Sequence, residues 1–372
     1  MRTRGLFLML AAFGMAAAAC TNSLGEKSTE SGLTPVRVTF KAVQAEGKET
    51  KTVRNEDKSV SWMPADAINV FCGTDNGKFT STNTSKAAVV NFTGELTAET
   101  VAAIEAGTNE PIWALYPYDE NAECDGTSVT TTLPANQTGV AGSFADDLFI
   151  TLAKSDDLNL YFYNVCSGFK FSVTREGVTS VTLKGNADED LAGKVQLSFG
   201  TDGTPKIDGI LDGQKSITLT PENGTFEVGE DYYFVTLPTS FSSGFTLEFE
   251  AQDEKTGIYT YKKEVSFPRS KFVTKADIDA SVSYKKDPKM TLVVEDELLY
   301  RQNEGANVYV ASGVEGTIIF GVDGVVYSRW INNGKAHFNI NLPPGDYVLT
   351  ASYSGDDEYH SWTDSKAFSV VG

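Results

Sequence analysis

The sequence predicts an all-β protein built from antiparallel β-sandwiches. Segments in which apolar and polar residues alternate recur at short intervals, as in Val36–Lys41 and Phe169–Thr174, and a period of two is typical of half-buried strands. The turns between these segments are rich in Gly, Asp, Asn and Pro, which favours sandwiches over β-α-β folds. The chain has 372 residues, which is long for one domain, and we expect two or three.

Residues 1–19 have the features of a lipoprotein signal peptide. Two arginines precede Gly5–Ala19, an uncharged apolar run that is short for a membrane span. The run ends in a lipobox-like Ala-Ala-Ala-Cys, and the thiol of Cys20 supplies the nucleophilic sulfur that a thioether to lipid requires. We therefore expect lipidation at Cys20, which metabolic labelling with palmitate would detect. The alternative is an ordinary cleaved signal in which Cys20 is incidental, and Ala17 stands where Leu is commoner.

The mature protein is strongly acidic. Removing Arg2 and Arg4 from the 31 basic residues leaves 29 against 50 acidic residues, a net charge of −21. Such a charge argues against nucleic acid or an anionic membrane face as the partner. Residues 20–34 are small and polar, which predicts a flexible tether. The two or three acyl chains of a bacterial lipoprotein would then anchor the body permanently.

A strand at Val36–Val43 follows the tether, and a polar stretch, Gln44–Ser59, comes after it. One helix is predicted at Thr97–Ala106, because Thr97 suits an N-cap and Gly107 can end a helix. Further strands are predicted at Val60–Trp62, Ala67–Phe71, Val89–Phe92, Pro111–Tyr118, Val129–Leu133, Leu158–Val165, Val178–Leu183, Gly193–Phe199, Ile217–Leu219, Tyr232–Leu237, Phe245–Glu250 and Tyr259–Phe267.

Four motifs follow one another behind the lipobox. They are Ser61-Trp62 with Asp66 and Ile68–Phe71, then Ala114–Tyr118, then Leu133–Thr138, and finally Tyr163–Phe171. In this order they resemble the fimbrillin-like lipoproteins of Bacteroidales, a family that includes the major, anchor and tip subunits of lipoprotein-derived pili. The resemblance covers about residues 33–284. It implies two tandem transthyretin-like β-sandwiches, at residues 35–155 and 156–286, on a protein held at the cell outer membrane by its lipid and exposed at the surface.

The resemblance also implies an assembly mechanism. Polymerising members of the family lose their first strand when a trypsin-like protease cuts after an arginine, and a donor strand of another subunit fills the groove by β-augmentation. On this chain the removable strand is Val36–Val43, and the tentative processing site is Arg54, in the polar stretch Lys48–Lys58. Arg37 lies inside the strand and is less accessible. The alternative is that Arg54 is simply a solvated loop charge.

The C-terminal region, residues 287–372, differs from the rest. About seven short strands are predicted in some 80 residues, which suits an immunoglobulin-like sandwich. Gly345-Asp346-Tyr347 and the run Thr350–Tyr359 resemble the bacterial Ig-like repeat. The region contains no cysteine, so no disulfide can join its two sheets.

Other candidate ligand sites have simpler explanations. Paired acids could seat calcium, but none has EF-hand spacing, and we interpret them as solvated turn residues: Asp146-Asp147, Asp156-Asp157 and Asp188-Glu189-Asp190. Aromatic residues near the C-terminus could form a carbohydrate platform, but core and edge packing is the commoner explanation: Trp330, Tyr327, Trp362 and Tyr359.

No catalytic residue, cofactor or metal site is predicted, and we expect no enzyme activity. His337 and His360 have no partners at metal-ligand spacing, and no GxSxG nucleophile elbow occurs. Beyond Cys20 there are three cysteines, Cys72, Cys124 and Cys166. An odd number leaves at least one unpaired or paired between chains, and buried apolar thiols are the favoured interpretation.

These features favour a lipid-anchored surface adhesion protein, a pilus tip or accessory subunit assembled by donor-strand exchange. A tip or accessory position is favoured because Ser365–Gly372 resembles the last strand of its own Ig-like domain rather than a free donor. The expected partners are other pilus subunits, a host or bacterial surface protein or glycan, and the membrane through the lipid. The alternative is a non-polymerising, glycan-binding surface lipoprotein that serves nutrient capture.

Overall fold

A computed structural model of the chain describes residues 35–45, 61–275, 277–302 and 304–372. The signal peptide, the lipidation site Cys20, the tether at residues 20–34 and the candidate processing site Arg54 lie outside these ranges. Within them nearly all regular structure is β-strand, which confirms the all-β prediction. The same ranges contain no helix with the length and apolar character needed to cross a membrane.

Residues 35–164 form the first group of elements. They are β1 (Pro35–Gln44), β2 (Ala67–Cys72), β3 (Asp75–Ser81), β4 (Val89–Thr97), α1 (Ala98–Ala106), β5 (Ile112–Tyr116), β6 (Glu123–Cys124), β7 (Val129–Leu133), β8 (Asn136–Val140), β9 (Ser143–Phe144), β10 (Thr151–Ser155) and β11 (Asn159–Asn164). Seven of these strands close into a barrel in the order β1-β11-β10-β5-β2-β3-β4. The barrel closes because β1 pairs with β4 in antiparallel fashion and with β11 in parallel.

The barrel interior is filled by aromatic side chains. The indole of Trp62 packs edge-on against Phe92, Tyr116 and Phe162, with ring centroids 5.0, 5.2 and 5.2 Å away. Edge-to-face contacts of this kind stabilise a core beyond their buried area. Two of the sequence motifs, around Trp62 and around Tyr116, therefore meet in one cluster.

The single predicted α-helix is confirmed. The hydroxyl oxygen of Thr97 accepts a hydrogen bond from the Thr100 backbone N–H at 3.3 Å, and Gly107 ends the helix in the left-handed region with φ 64°. Val101 and Ile104 pack against the barrel core. The capping residues thus start and stop the helix where the sequence predicted.

Residues 165–286 form the second group. They are β12 (Ser167–Phe171), β13 (Val178–Gly185), β14 (Ala192–Phe199), β15 (Pro205–Gln214), β16 (Ser216–Pro221), β17 (Tyr232–Thr236), β18 (Thr239–Phe241), β19 (Phe245–Ala251), β20 (Lys255–Tyr261), β21 (Val265–Phe267), β22 (Phe272–Lys275), a 3₁₀ turn (Ile278–Ser281) and β23 (Lys285–Lys286). The main sheet has the order β23-β20-β19-β13-β16-β8-β9, and smaller sheets pack around it.

Strand pairing crosses the predicted division at residue 155 in both directions. β7 and β8 precede residue 155 but pair with β14 and β16 of the second group. β11 follows residue 155 but belongs to the barrel. Gln137 explains part of this crossing, because its buried side-chain amide donates to the Val235 carbonyl at 2.7 Å and accepts from the Val235 N–H at 3.0 Å. The division into separate units at residue 155 stays a prediction.

Residues 287–372 form the third group. They are β24 (Thr291–Val293), β25 (Glu297–Leu299), β26 (Gly305–Tyr309), β27 (Thr317–Val322), β28 (Val325–Trp330), β29 (Lys335–Asn339), β30 (Gly345–Tyr353) and β31 (Trp362–Val371). A three-stranded sheet, β24-β26-β29, faces a five-stranded sheet, β25-β31-β30-β27-β28. The two layers meet where the rings of Phe320 and Phe338 stack at 5.2 Å. Strands in two facing layers agree with the predicted immunoglobulin-like sandwich.

A direct joint connects the second group to the C-terminal sandwich. The Lys286 N–H donates to the Glu358 carbonyl at 2.7 Å, and the His360 N–H donates to the Lys286 carbonyl at 2.9 Å. The Nε2 atom of His360 lies 2.9 Å from both the hydroxyl and the carbonyl of Thr256. Residues 285 and 286 are therefore hydrogen-bonded on both sides, through β20 and through the loop at residues 356–360.

Candidate functional site

The candidate functional site is the groove that β1 fills in the barrel. β1 aligns with β4 along its length, from Pro35 opposite Thr97 to Val43 opposite Val89. On its other side it runs parallel to β11, from Lys41 opposite Asn159 onward. Removing β1 would leave two strand edges with unpaired backbone groups, which is the form of site that accepts an added strand.

Alternate side chains of β1 reach into this groove. Val38, Phe40 and Ala42 are buried, and the Phe40 ring packs edge-on against Phe79 at 5.3 Å. On the outer face the hydroxyl of Thr39 lies 3.1 Å from that of Thr93. Burial of Val38 and Phe40 together contributes about 3–6 kcal/mol at about 1.5–3 kcal/mol each.

The two arginines near β1 differ in position. Arg37 lies within β1, opposite Glu95, so its backbone is committed to the sheet although its side chain is exposed. A protease needs an extended, accessible segment, and a paired strand does not offer one. Arg54 lies between the end of β1 and Trp62, outside the described residues, and its assignment as a processing site stays a prediction.

The C-terminal strand is not available as a donor. β31 pairs with β30 from Trp362 opposite Tyr353 to Val370 opposite Gly345, and with β25 on its other side. Phe368 and Val370 are buried in the C-terminal core. The resemblance of Ser365–Gly372 to the last strand of its own domain is thus matched by its pairing.

The four C-terminal aromatic residues do not form one platform. Tyr359 is buried, and Tyr327 packs on Phe338 with ring centroids 4.7 Å apart. Trp330 is 75% exposed at the edge of the five-stranded sheet, and Trp362 is partly buried against the core. Core and edge packing therefore accounts for three of the four, and Trp330 stands apart.

Members of two of the three acidic groups have partners within the protein. Asp157 accepts the Asn159 backbone N–H at 2.8 Å, and Asp190 forms an ion pair with Lys215 at 2.7 Å. Among the residues that the structure describes, no group of three or more potential ligands (His, Cys, Asp or Glu) could hold a metal ion.

A carboxylate cluster that the sequence analysis missed lies beside the barrel core. Asp66 accepts the Met63 N–H at 2.7 Å, and the hydroxyl of Tyr116 donates to the Asp146 carbonyl at 2.7 Å and lies 3.5 Å from Asp66. Burial, with a smaller contribution from the nearby Asp146 charge, raises the pKa of Asp66 to about 6. The residues are far apart in sequence, so no local pattern predicts the cluster. The sequence singled out Asp66 only as a member of the first of the four motifs.

The three described cysteines carry free thiols. Cys72 and Cys166 are buried and Cys124 is partly buried. Burial raises the pKa of the Cys72 thiol to about 11 and that of Cys166 to about 12. These thiols are protonated at neutral pH, which agrees with their interpretation as small apolar side chains.

Comparison with known proteins gives no family. No protein-family model matches the chain, and no curated protein matches it. Among solved structures, the fibronectin(III)-like modules of Clostridium thermocellum CbhA are 13% identical, with a TM-score of 0.18, over 65% of this chain and 93% of that one. The BSP domain of a biofilm-associated protein is 8% identical, with a TM-score of 0.18, over 96% of this chain and 84% of that one. TM-scores this low carry no argument about this chain.

Proposed function

We propose that this protein is a lipid-anchored, non-enzymatic surface adhesion protein, and that it assembles as the tip or accessory subunit of a fimbrillin-type pilus by exchange of β1. The observation that supports the proposal most directly is the way β1 is held in the barrel. One strand closes the barrel on both of its edges, and the polar segment with Arg54 comes directly after it.

The attachment of β1 suits exchange. Main-chain pairing to β4 and β11 can be reproduced by any extended segment. The apolar positions of Val38, Phe40 and Ala42 can be refilled by a strand with the same alternation. A tip or accessory position fits the pairing of β31, which is held inside its own sheet and cannot serve as a free donor.

Lipid anchoring is proposed from the sequence around Cys20. The test compares metabolic palmitate labelling and membrane fractionation of the native chain with those of Cys20→Ser. Labelling should disappear and the protein should leave the membrane fraction. Membrane association that survives Cys20→Ser would remove the anchor from the proposal.

Strand exchange is tested with an arginine-specific protease at low dose. The native chain should be cut first after Arg54, giving a product that starts at Asn55. Arg54→Lys keeps the charge but is not a substrate, so it is the matched control and should stay intact. A first cut at Arg37 or at another arginine would contradict the processing site.

The groove itself is then tested with peptides. A synthetic Pro35–Val43 peptide should bind the cut protein and raise its melting temperature, because a ligand of the native state stabilises it by mass action. The same peptide with Phe40→Glu should not bind, since a carboxylate would enter the apolar pocket beside Phe79. If β1 stays bound to the cut chain and does not exchange, the protein is a monomeric adhesin rather than a pilus subunit.

A further inference from the structure

One edge of the C-terminal sandwich is open and apolar. β28 is the last strand of the five-stranded sheet and, among the residues that the structure describes, pairs only with β27. Its side chains are largely exposed: Val325 to 49%, Val326 to 67% and Trp330 to 75%. Exposed apolar groups beside an unpaired strand edge favour pairing with another strand.

The direction of the backbone groups of β28 follows from its pairing. The Ile331 N–H donates to the Gly316 carbonyl at 2.8 Å, and hydrogen-bonded positions alternate along an antiparallel pair. Positions 325, 327 and 329 therefore bond to β27, whereas Val326, Ser328 and Trp330 direct their N–H and C=O groups to the open edge. The Arg329 guanidinium donates to the Ser328 carbonyl at 2.8 Å, and a carbonyl can still accept a second hydrogen bond.

Several other edges in the described part of the chain carry the usual protections. β15 has two register irregularities and the charged residues Lys206, Asp208 and Asp212. β24 and β25 have three residues each, and β23 has two lysines. Short strands, irregular register and lysines discourage edge pairing, and β28 has six regular residues without lysine, proline or an acid.

We propose that β28 pairs with β28 of a second copy of this chain, in antiparallel fashion, so that the two five-stranded sheets become one continuous sheet. A single register matches all three outward residues on both strands. It places Ser328 opposite Ser328 of the second copy, and Val326 opposite its Trp330. About six main-chain hydrogen bonds would form across the two-fold axis.

The side chains fit this register on both faces of the sheet. On the outer face each indole of Trp330 lies against Val326 of the other copy, next to Gly321, where an added Cβ would meet open space. On the inner face each Arg329 lies opposite Tyr327 of the other copy, a cation beside an aromatic ring. Because β28 carries no acid, two copies can meet here although the chain is acidic overall.

The test measures the mass of the chain from residue 20 onward, with Cys20→Ser to exclude association through lipid. Sedimentation should show a monomer at about 1 µM and a dimer at about 500 µM, since a contact of this size is at the weak end of interfaces. Trp330→Ala and Val326→Lys should each weaken the dimer at least about tenfold. Val348→Lys is the matched control, because Val348 is 59% exposed on the same face but on an inner strand.

Two further variants test the edge and its register. Ser328→Pro removes an N–H that β27 does not use, so it should abolish the dimer while leaving the unfolding midpoint unchanged. Ser328→Cys should form a covalent dimer on mild oxidation, whereas Ser352→Cys, on the same face of inner strand β30, should not. A chain that stays monomeric throughout this range, or a dimer that persists in Ser328→Pro and Val326→Lys, would overturn the proposal. Pairing with a strand of a different protein only would overturn it as well.

Discussion

Truncation of Phe40 should destabilise the barrel and leave the C-terminal sandwich unaffected. Phe40 is fully buried and its ring packs against Phe79 at 5.3 Å. Replacing a buried Phe with Ala typically costs about 3–5 kcal/mol, through lost transfer energy and a residual cavity. We expect Phe40→Ala to destabilise the barrel by this amount while β1 keeps its backbone pairing.

Amide hydrogen exchange read by mass spectrometry measures this loss in the strands that flank β1. At about 1.4 kcal/mol per tenfold, exchange in β4 and β11 should speed up between about a hundredfold and a few thousandfold. Thr39→Ala is the matched control on the exposed face of β1, where a surface substitution should change the free energy by less than about 0.5 kcal/mol. Strands of the C-terminal sandwich should be unaffected. Equal effects of Phe40→Ala and Thr39→Ala, or protection lost throughout the chain, would refute the assignment of β1 as a locally seated strand.

Three other substitutions have defined outcomes. Gly168→Ala would place a Cβ 2.2 Å from the Phe272 ring, so thermal unfolding should show a loss of about 1–3 kcal/mol that Gly209→Ala, with open space around it, does not reproduce. Burial raises the pKa of Asp66 to about 6, so the native state binds this proton more tightly than the unfolded chain, and stability should rise as pH falls from about 6 to about 4. Asp66→Asn should flatten that rise, by about 1–2 kcal/mol after allowance for solvent screening, in denaturant titrations across this pH range, and an unchanged slope would contradict the assignment. His360→Ala should increase hydrogen exchange several-fold at residues 285–286 and 356–360 but not in the sandwich cores, and uniform protection would show that the imidazole does not hold the joint.

Local signals in the sequence located most of the strands and the helix. The alternation in Val36–Val43 gives both the strand and its buried face, because side chains alternate between the two faces of a sheet. Thr97 and Gly107 locate the helix ends by local interactions. Thr97 caps the Thr100 N–H with its side chain, and Gly107 adopts a left-handed backbone conformation. The hairpin between β27 and β28 is equally local, since its two turn residues, Asp323 and Gly324, have φ of 51° and 73°.

The closure of the barrel could not be predicted in the same way. β1 and β11 lie more than one hundred residues apart, and a parallel pair has no turn that marks it in the sequence. The crossing of β7 and β8 into the second group rests on backbone pairing with β14 and β16, and on the buried amide of Gln137, which hydrogen-bonds both backbone groups of Val235. The Leu133–Thr138 motif pointed to this segment, but a motif does not say which strand its glutamine will bond.

The candidate site combines features that local sequence predicts with pairings between segments that are distant in the sequence. The buried face of β1 was predicted from its own residues, whereas the groove that receives it consists of β4 and β11, which no local pattern joins. The open edge of β28 is a similar case, because alternation predicts a strand but not whether its second edge is paired. Trp330 was one of four aromatic candidates in the sequence. Tyr327 lies on the same edge strand but packs inward on Phe338, whereas Trp330 is 75% exposed on the outer face, which the sequence alone did not show.

The seat of β1 also restricts which strand could replace it. Two successive inward positions carry a large side chain and a small one, Phe40 and Ala42, and a third carries the medium-sized Val38. A donor must therefore present medium, large and small apolar residues at alternate positions, because overfilling the place of Ala42 costs about 1–3 kcal/mol and underfilling that of Phe40 costs more. The outward positions Thr39 and Lys41 impose no such limit, since both side chains are exposed. The groove thus selects a donor by the order of side-chain sizes on one face, while the main-chain pairing accepts any strand.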